Sequence, residues 1–229
     1  MVINNLTILE NYRRLKHIRR CNNFPTIQTE DVAQHSFYTA ILAMTLADEY
    51  NKFVDEYNSY YHPYDCENIL DNVDVHKVLI KALFHDMEEA FTSDIPYNIK
   101  HHSITLNSAM KDCISEVLDK VYKDSDFPVT NHKSHILNCK KGVEGRIVAL
   151  ADLLEGAWYC YQELSTGNND IRGLLKNYII EIEKLDFSPV IEHIIPTLKE
   201  VCPTFKSMLH MFKNSLVQIE PIKSTTLIV

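Results

Sequence analysis

Residues 75–91 read VHKVLIKALFHDMEEAF, and the reading of this stretch decides the fold. Val75, Val78, Leu79, Ala82 and Leu83 recur at the spacing of a helix, which predicts an amphipathic helix over 73–91. His85 and Asp86 fall in its C-terminal half. Burying an ionisable pair in such a run is costly unless the pair is matched by other charges or bound to a metal. Adjacent helical residues point about 100° apart, so His85 and Asp86 do not chelate as an i,i+4 pair would, but each can reach an ion seated between helices. Glu89 follows four residues after His85 and three after Asp86, on the same helical face. Asp94 comes just past the helix, before Pro96.

On both sides of this stretch the helical period continues. Apolar residues at Leu6, Leu9, Leu15 and Ile18 predict a first helix. Thr29 to Asp31 supply capping chemistry for a second from Val32 to about Tyr57, with Val32, Phe37, Ala40, Ile41, Met44 and Ala47 as its apolar stripe and His35 alongside. Further helices are expected at 104–122, 143–165, 170–185 and 199–217. The Tyr-rich stretch 57–72 reads as a surface loop, with a contact surface for a partner subunit as the alternative. With 5 Gly and 8 Pro in 229 residues, the chain is too poor in breakers for a turn-rich β-sandwich. It contains no P-loop and no G-x-G-x-x-G phosphate cradle. The expectation is one all-α domain over 1–217 with a tail over 218–229.

The formal charge of −8 repels a phosphate backbone, so a duplex nucleic-acid partner is not expected. A small anionic substrate remains compatible, because a few local cations set the potential of one pocket. The N-terminal twenty residues are charged and lack the apolar core of a secretory signal, and no stretch has the length of a membrane span. Six scattered cysteines without a C-x-x-C pair read as reduced thiols in the cytoplasm.

A divalent ion needs more donors than His85 and Asp86. His35 lies on the apolar side of the second helix, and Asp152 is an isolated acid inside RIVALADLLEGAW. Singly, each has an ordinary reading: His35 as a hydrogen-bonded core histidine, Asp152 as an inward acid paired with an arginine. Jointly, two His and two Asp make a mixed nitrogen and oxygen site suited to Mn²⁺, Co²⁺, Fe²⁺ or Zn²⁺.

In this order, His35, His85-Asp86 and Asp152 resemble the H…HD…D signature of the HD-domain metal-dependent phosphohydrolases. RLKHIRRC, TEDVAQHS, HDMEEAFTSDIPYNIK and IVALADLLE are similar to blocks of the bacterial 5′-deoxynucleotidase branch, from about Arg14 to Glu163. The resemblance implies a bundle of about seven to nine helices around a central metal held by His35, His85, Asp86 and Asp152. It implies that Glu89 and Asp94 are the acid/base pair, and that Arg20 and Lys100 bind phosphate. Cys21 stands where the branch often has a Trp shaping the sugar pocket, and Ser93 where it usually has Gly. Asp31 and Gln34 replace Asn and Glu of the branch's E-N-V-A-E-H-S block. The implied reaction is metal-dependent hydrolysis of a deoxynucleoside 5′-monophosphate to nucleoside and phosphate, by a homo-oligomer. The alternatives are release of triphosphate from a deoxynucleoside triphosphate, or a non-enzymatic HD-fold domain that binds nucleotide or protein.

Other signals are set aside. His132, His135 and Cys139 have spacing compatible with a second zinc but read as an exposed turn. Arg13, Arg14, Lys16 and Arg19 read as a solvated face with Arg20 turned inward. His101 and His102 read as solvated, and Trp158 as core packing.

Overall fold

The computed structural model describes residues 5–61, 69–95, 103–122, 129–185 and 198–218. Among these, eight helices have eight residues or more: α1 Asn5–Tyr12, α2 Val32–Tyr61, α3 Val75–Phe84, α4 Ile104–Tyr122, α5 Val129–Leu137, α6 Gly142–Ser165, α7 Arg172–Lys184 and α8 Pro203–Gln218. The described residues hold no strand, only an isolated bridge between Arg19 and Asp31. The molecule is an all-α HD-type bundle. Among the described residues no helix is long and apolar enough to cross a membrane.

α2 starts where its cap predicts. The Gln34 amide donates to Asp31 Oδ1 at 2.8 Å, and the Asp31 amide donates to Gln34 Oε1 at 3.1 Å, a reciprocal capping box. Asp74 caps α3 in the same way, accepting from the Lys77 amide at 3.1 Å.

The centre of the bundle is α2, α3 and α6. Ala40, Ala43 and Ala47 on α2 face Ala82 on α3 and Ala151 and Ala157 on α6, among larger residues such as Leu46, Val78, Ile147 and Leu154. These small side chains let three helix backbones approach closely, which is what brings short acidic side chains within reach of one another. Leu175, Ile179 and Ile182 of α7 and Phe205 and Phe212 of α8 close the other side of this core. Leu118 and Tyr122 of α4 and Ile136 of α5 form a second cluster against Phe84, Met87 and Phe91.

Several local expectations need correction. The buried stripe of α2 is Val32, His35, Ser36, Thr39, Ala40, Ala43, Leu46 and Ala47, whereas Phe37 and Ile41 are exposed. Apolarity alone misassigns the face because His35 and Thr39 take inward positions. The predicted first helix becomes 3₁₀ from Arg13 to His17, and the helix predicted over 73–91 ends at Phe84, resuming for one turn at Glu89–Thr92. α2 extends to Tyr61, into the stretch read as a loop. Residues 129–137 are helical where a turn is expected. Trp158 lies at the surface, its ring centroid 6.0 Å from that of Tyr161 and 6.3 Å from that of Phe212. Lys100, His101, His102 and 219–229 lie outside the described residues, as do 62–68 of the Tyr-rich stretch and the side chain of His132.

Candidate active site and metal centre

Past Phe84 the chain winds more tightly. Met87 N–H donates to Phe84 O, Glu89 N–H to Asp86 O and Phe91 N–H to Glu88 O, all i to i+3 bonds of 2.9–3.2 Å. In this turn His85 and Asp86 face one point instead of diverging. Asp86 Oδ2 lies 3.2 Å from His85 Nε2. α2 delivers His35, fully buried, with its Nε2 3.2 Å from His85 Nε2 and 3.6 Å from Asp86 Oδ2. α6 delivers Asp152, whose Oδ1 is 3.1 Å from His35 Nε2 and 3.7 Å from His85 Nε2.

The outer nitrogens fix the tautomers. His85 Nδ1 is 2.7 Å from the Ala82 carbonyl, which only accepts, so Nδ1 carries a proton. His35 Nδ1 meets the carboxylate of Glu155, which orients that ring in the same sense. With both rings neutral the two Nε2 lone pairs point inward; with one ring protonated their 3.2 Å contact is an N–H···N hydrogen bond. Two imidazole nitrogens and two carboxylate oxygens face one another here, a donor set that could hold a metal ion. Donors about 2.0–2.2 Å from one ion stand roughly 3–3.6 Å apart; His35, His85 and Asp86 form a group that could hold one ion, and Asp152 Oδ1 lies 3.1 Å and 3.7 Å from the two imidazoles. Two imidazoles and two carboxylates fit a borderline transition ion better than Ca²⁺ or a thiolate zinc site.

The electrostatics point the same way. Burial alone lowers the His85 pKa, but the Asp86 and Asp152 carboxylates outweigh it and raise the group well above 6.5. Asp152 is held well below the ordinary carboxylate range, against burial, by the ammonium of Lys140 and by both imidazoles. Lys140 Nζ stands 2.5 Å from Asp152 Oδ2, the oxygen turned away from the histidines.

Arg20 is turned inward, as expected, and is already paired. Its Nη1 lies 2.7 Å from Glu30 and 3.1 Å from the same Glu155 oxygen that holds His35. Burial and the Glu155 charge push Glu30 up to about 7. Cys21 follows with φ of 51°, and burial pushes its thiol up to about 11, with the Arg20 charge opposing and the Asp94 charge adding. Arg20, Cys21 and Asp94 thus share one environment. Glu89 is buried one turn beyond His85 and Asp86, and half-buried Asp94 follows Ser93. Ser93 has φ 62° and ψ 170°, a backbone region almost reserved for glycine.

The structure therefore brings together His35, His85, Asp86 and Asp152, with Arg20 one contact away through Glu155. His135 instead packs against the Phe84 ring and Cys139 Sγ lies against the His85 carbonyl, so neither joins a second ligand group among the described residues. Sequence reading missed Glu155, Glu30 and Lys140. Glu155 was visible as a second acid in the same apolar run as Asp152, three residues on.

Comparison with known proteins agrees with this geometry. The profile described as 5′-deoxynucleotidase YfbR-like matches residues 8–201. The 5′-deoxynucleotidase yfbR of Photorhabdus temperata is 27% identical over 164 residues, 69% of this chain and 73% of that protein. The 5′-deoxynucleotidase of Erwinia tasmaniensis is 26% identical over the same length and shares. An HD-domain phosphohydrolase from Listeria innocua superposes with a TM-score of 0.59 at 17% identity, covering 94% of this chain and 99% of that one. The cyanophage S-2L HD phosphohydrolase DatZ, solved with dA and one catalytic Zn²⁺, superposes with a TM-score of 0.54 at 11% identity, covering 91% of this chain and 96% of that one. With the fold shared with HD-domain phosphohydrolases, the profile match over most of the chain decides it: this chain belongs to the YfbR-like 5′-deoxynucleotidase family.

Proposed function

We propose that the protein hydrolyses deoxynucleoside 5′-monophosphates to deoxynucleoside and phosphate at a single transition-metal ion. The observation that carries this reading is the convergence of His35, His85, Asp86 and Asp152 on one point in a chain of this family. When bound there, the ion supplies Lewis acidity toward the phosphoryl group and lowers the pKa of water. Glu89, buried beside Asp86, takes the proton from the attacking water, and Asp94 returns one to the leaving 5′ oxygen. Arg20 binds phosphate through the guanidinium positions that Glu30 and Glu155 leave open, and those two carboxylates keep its fork from swinging. Lys100 adds a second cation at the phosphate.

The test is product analysis after Mn²⁺- or Co²⁺-loaded protein is incubated with the four dNMPs and the four dNTPs. Free phosphate and nucleoside from the monophosphates is the expected result, with Asp86→Ala inactive and still helical. Inorganic triphosphate from dNTPs, with monophosphates untouched, overturns it.

A further inference from the structure

Gly156 lies four residues after Asp152 on α6, one turn along the same face, and directly follows Glu155. The ring of Tyr178, from α7, occupies the place a side chain would take. A Cβ at position 156 would stand 2.6 Å from Tyr178 Cζ and 2.7 Å from both Cε1 and the hydroxyl oxygen. The phenol therefore lies flush on the helix backbone, an approach only glycine permits. The ring is half-buried, and its hydroxyl has no hydrogen-bond partner among the described residues. Of the charged side chains, Arg20 acts on it most strongly, with Cys21, Cys160 and Asp152 also in electrostatic reach. Tyr178 thus borders the space that Arg20 and the metal ligands face.

We propose that Tyr178 is a specificity-determining wall of the substrate pocket, with its ring against the deoxyribose and its hydroxyl bonded to a sugar oxygen. The inference rests on the nucleotidase reading and names the part of the site that reads the leaving group. Two physical points carry it. One turn of α6 separates Gly156 from Asp152 by about 5.4 Å. In a nucleotide the sugar ring begins three bonds from phosphorus, along P–O5′–C5′–C4′, so a phosphate at the metal and Arg20 carries the sugar toward the Tyr178 ring that covers Gly156. A phenol is also suited to this place, because its face packs on carbon while its hydroxyl seeks a polar partner.

The experiment compares Tyr178→Phe with wild type on a dNMP and on p-nitrophenyl phosphate, a phosphomonoester without a sugar, with Co²⁺ affinity measured by chelator competition. The expected result is a loss in kcat/KM on the dNMP that exceeds the loss on p-nitrophenyl phosphate by about fivefold or more, the scale of one hydrogen bond. Co²⁺ affinity stays the same. Gly156→Ala, which displaces the phenol while keeping it present, shifts the same ratio in the same direction. Equal losses on both substrates, or no loss on either, overturn the inference while leaving the nucleotidase reading intact. If wild type cleaves p-nitrophenyl phosphate and none of the dNMPs, the nucleotidase reading itself fails and the inference falls with it.

Discussion

His35 presents Nε2 to the metal seat because Nδ1 is committed to Glu155, which Arg20 in turn holds at 3.1 Å. Removing the charge from Glu155 loosens the ring's orientation and makes its nitrogen a weaker donor. Glu155→Gln is expected to weaken metal affinity by about 10- to 100-fold with helical content unchanged, as read by titration against a chromophoric chelator. Unchanged affinity would mean that the carboxylate only packs. Ser93 is a strain point of the opposite kind. Its φ of 62° and ψ of 170° suit glycine, and it directly precedes Asp94. Ser93→Gly is expected to raise stability by about 1 kcal/mol or more in urea unfolding. At this scale the sequence is legible where an ionisable side chain interrupts an apolar run, as Asp152 and His85 do. It is not legible for Lys140, one of two adjacent lysines in a polar stretch, whose meaning comes entirely from the Asp152 oxygen it meets in space.

The 20–30 loop, with the proposed phosphate-binding Arg20 at its entrance, is pinned by α6. Glu163 accepts the backbone amides of Ile27 at 2.8 Å and Gln28 at 2.6 Å, and Asn168 donates to the same carboxylate. Tyr159 adds a hydrogen bond to the Gln28 carbonyl at 2.7 Å. Arg20 and Cys21 lie at the entrance to this loop, where Arg20 N–H bonds Glu30 O and Val32 N–H bonds Ile18 O. Glu163→Gln weakens three charge-assisted bonds, so a stability loss of about 1.5–3 kcal/mol is expected at neutral pH, with a higher KM because Arg20 is less well placed. The pH dependence follows from the sign of the shift. Asn168 and the two backbone amides hold Glu163 below 4.5, against the effect of burial. Its contribution is therefore present above pH 4.5 and lost as pH falls through the depressed value, so the wild-type and variant melting temperatures converge in acid. A variant penalty that persists undiminished at the lowest pH would assign it to packing. Nothing in CNNFPTIQTE announces this anchoring, because the carboxylate that secures it lies more than 130 residues away. The turn after α3 was also illegible: the apolar period reads through Phe84, and nothing in it marks the switch to i+3 bonding that follows.

For the whole molecule, the proposed metal seat would act as a cross-link. Positions 35, 85, 86 and 152 come from α2, the turn after α3, and α6, the three segments whose alanine-rich contact forms the core. Helical period revealed that these segments pack and which residues were odd within them. It did not reveal that the odd residues meet, since that depends on the register of three helices, and there the H…HD…D resemblance carried the reading. Without an ion, four electron-rich atoms are held together by protons and by Lys140, which lies on one side only. An ion that binds the folded state and not the unfolded chain adds about 2.7 kcal/mol at a hundredfold excess over its Kd. For a chain of this size that is a rise in Tm of roughly 5–10 °C. Chelator-treated protein is therefore expected to melt by that margin below protein reloaded with Mn²⁺, Co²⁺ or Zn²⁺. Asp152→Asn is expected to shrink the increment sharply, because it removes the anionic donor that α6 contributes while leaving the apolar packing in place. Equal melting temperatures with and without each ion, at concentrations where equilibrium dialysis finds metal in the folded protein, would show that the ion does not join these helices and would detach the site from the stability of the bundle.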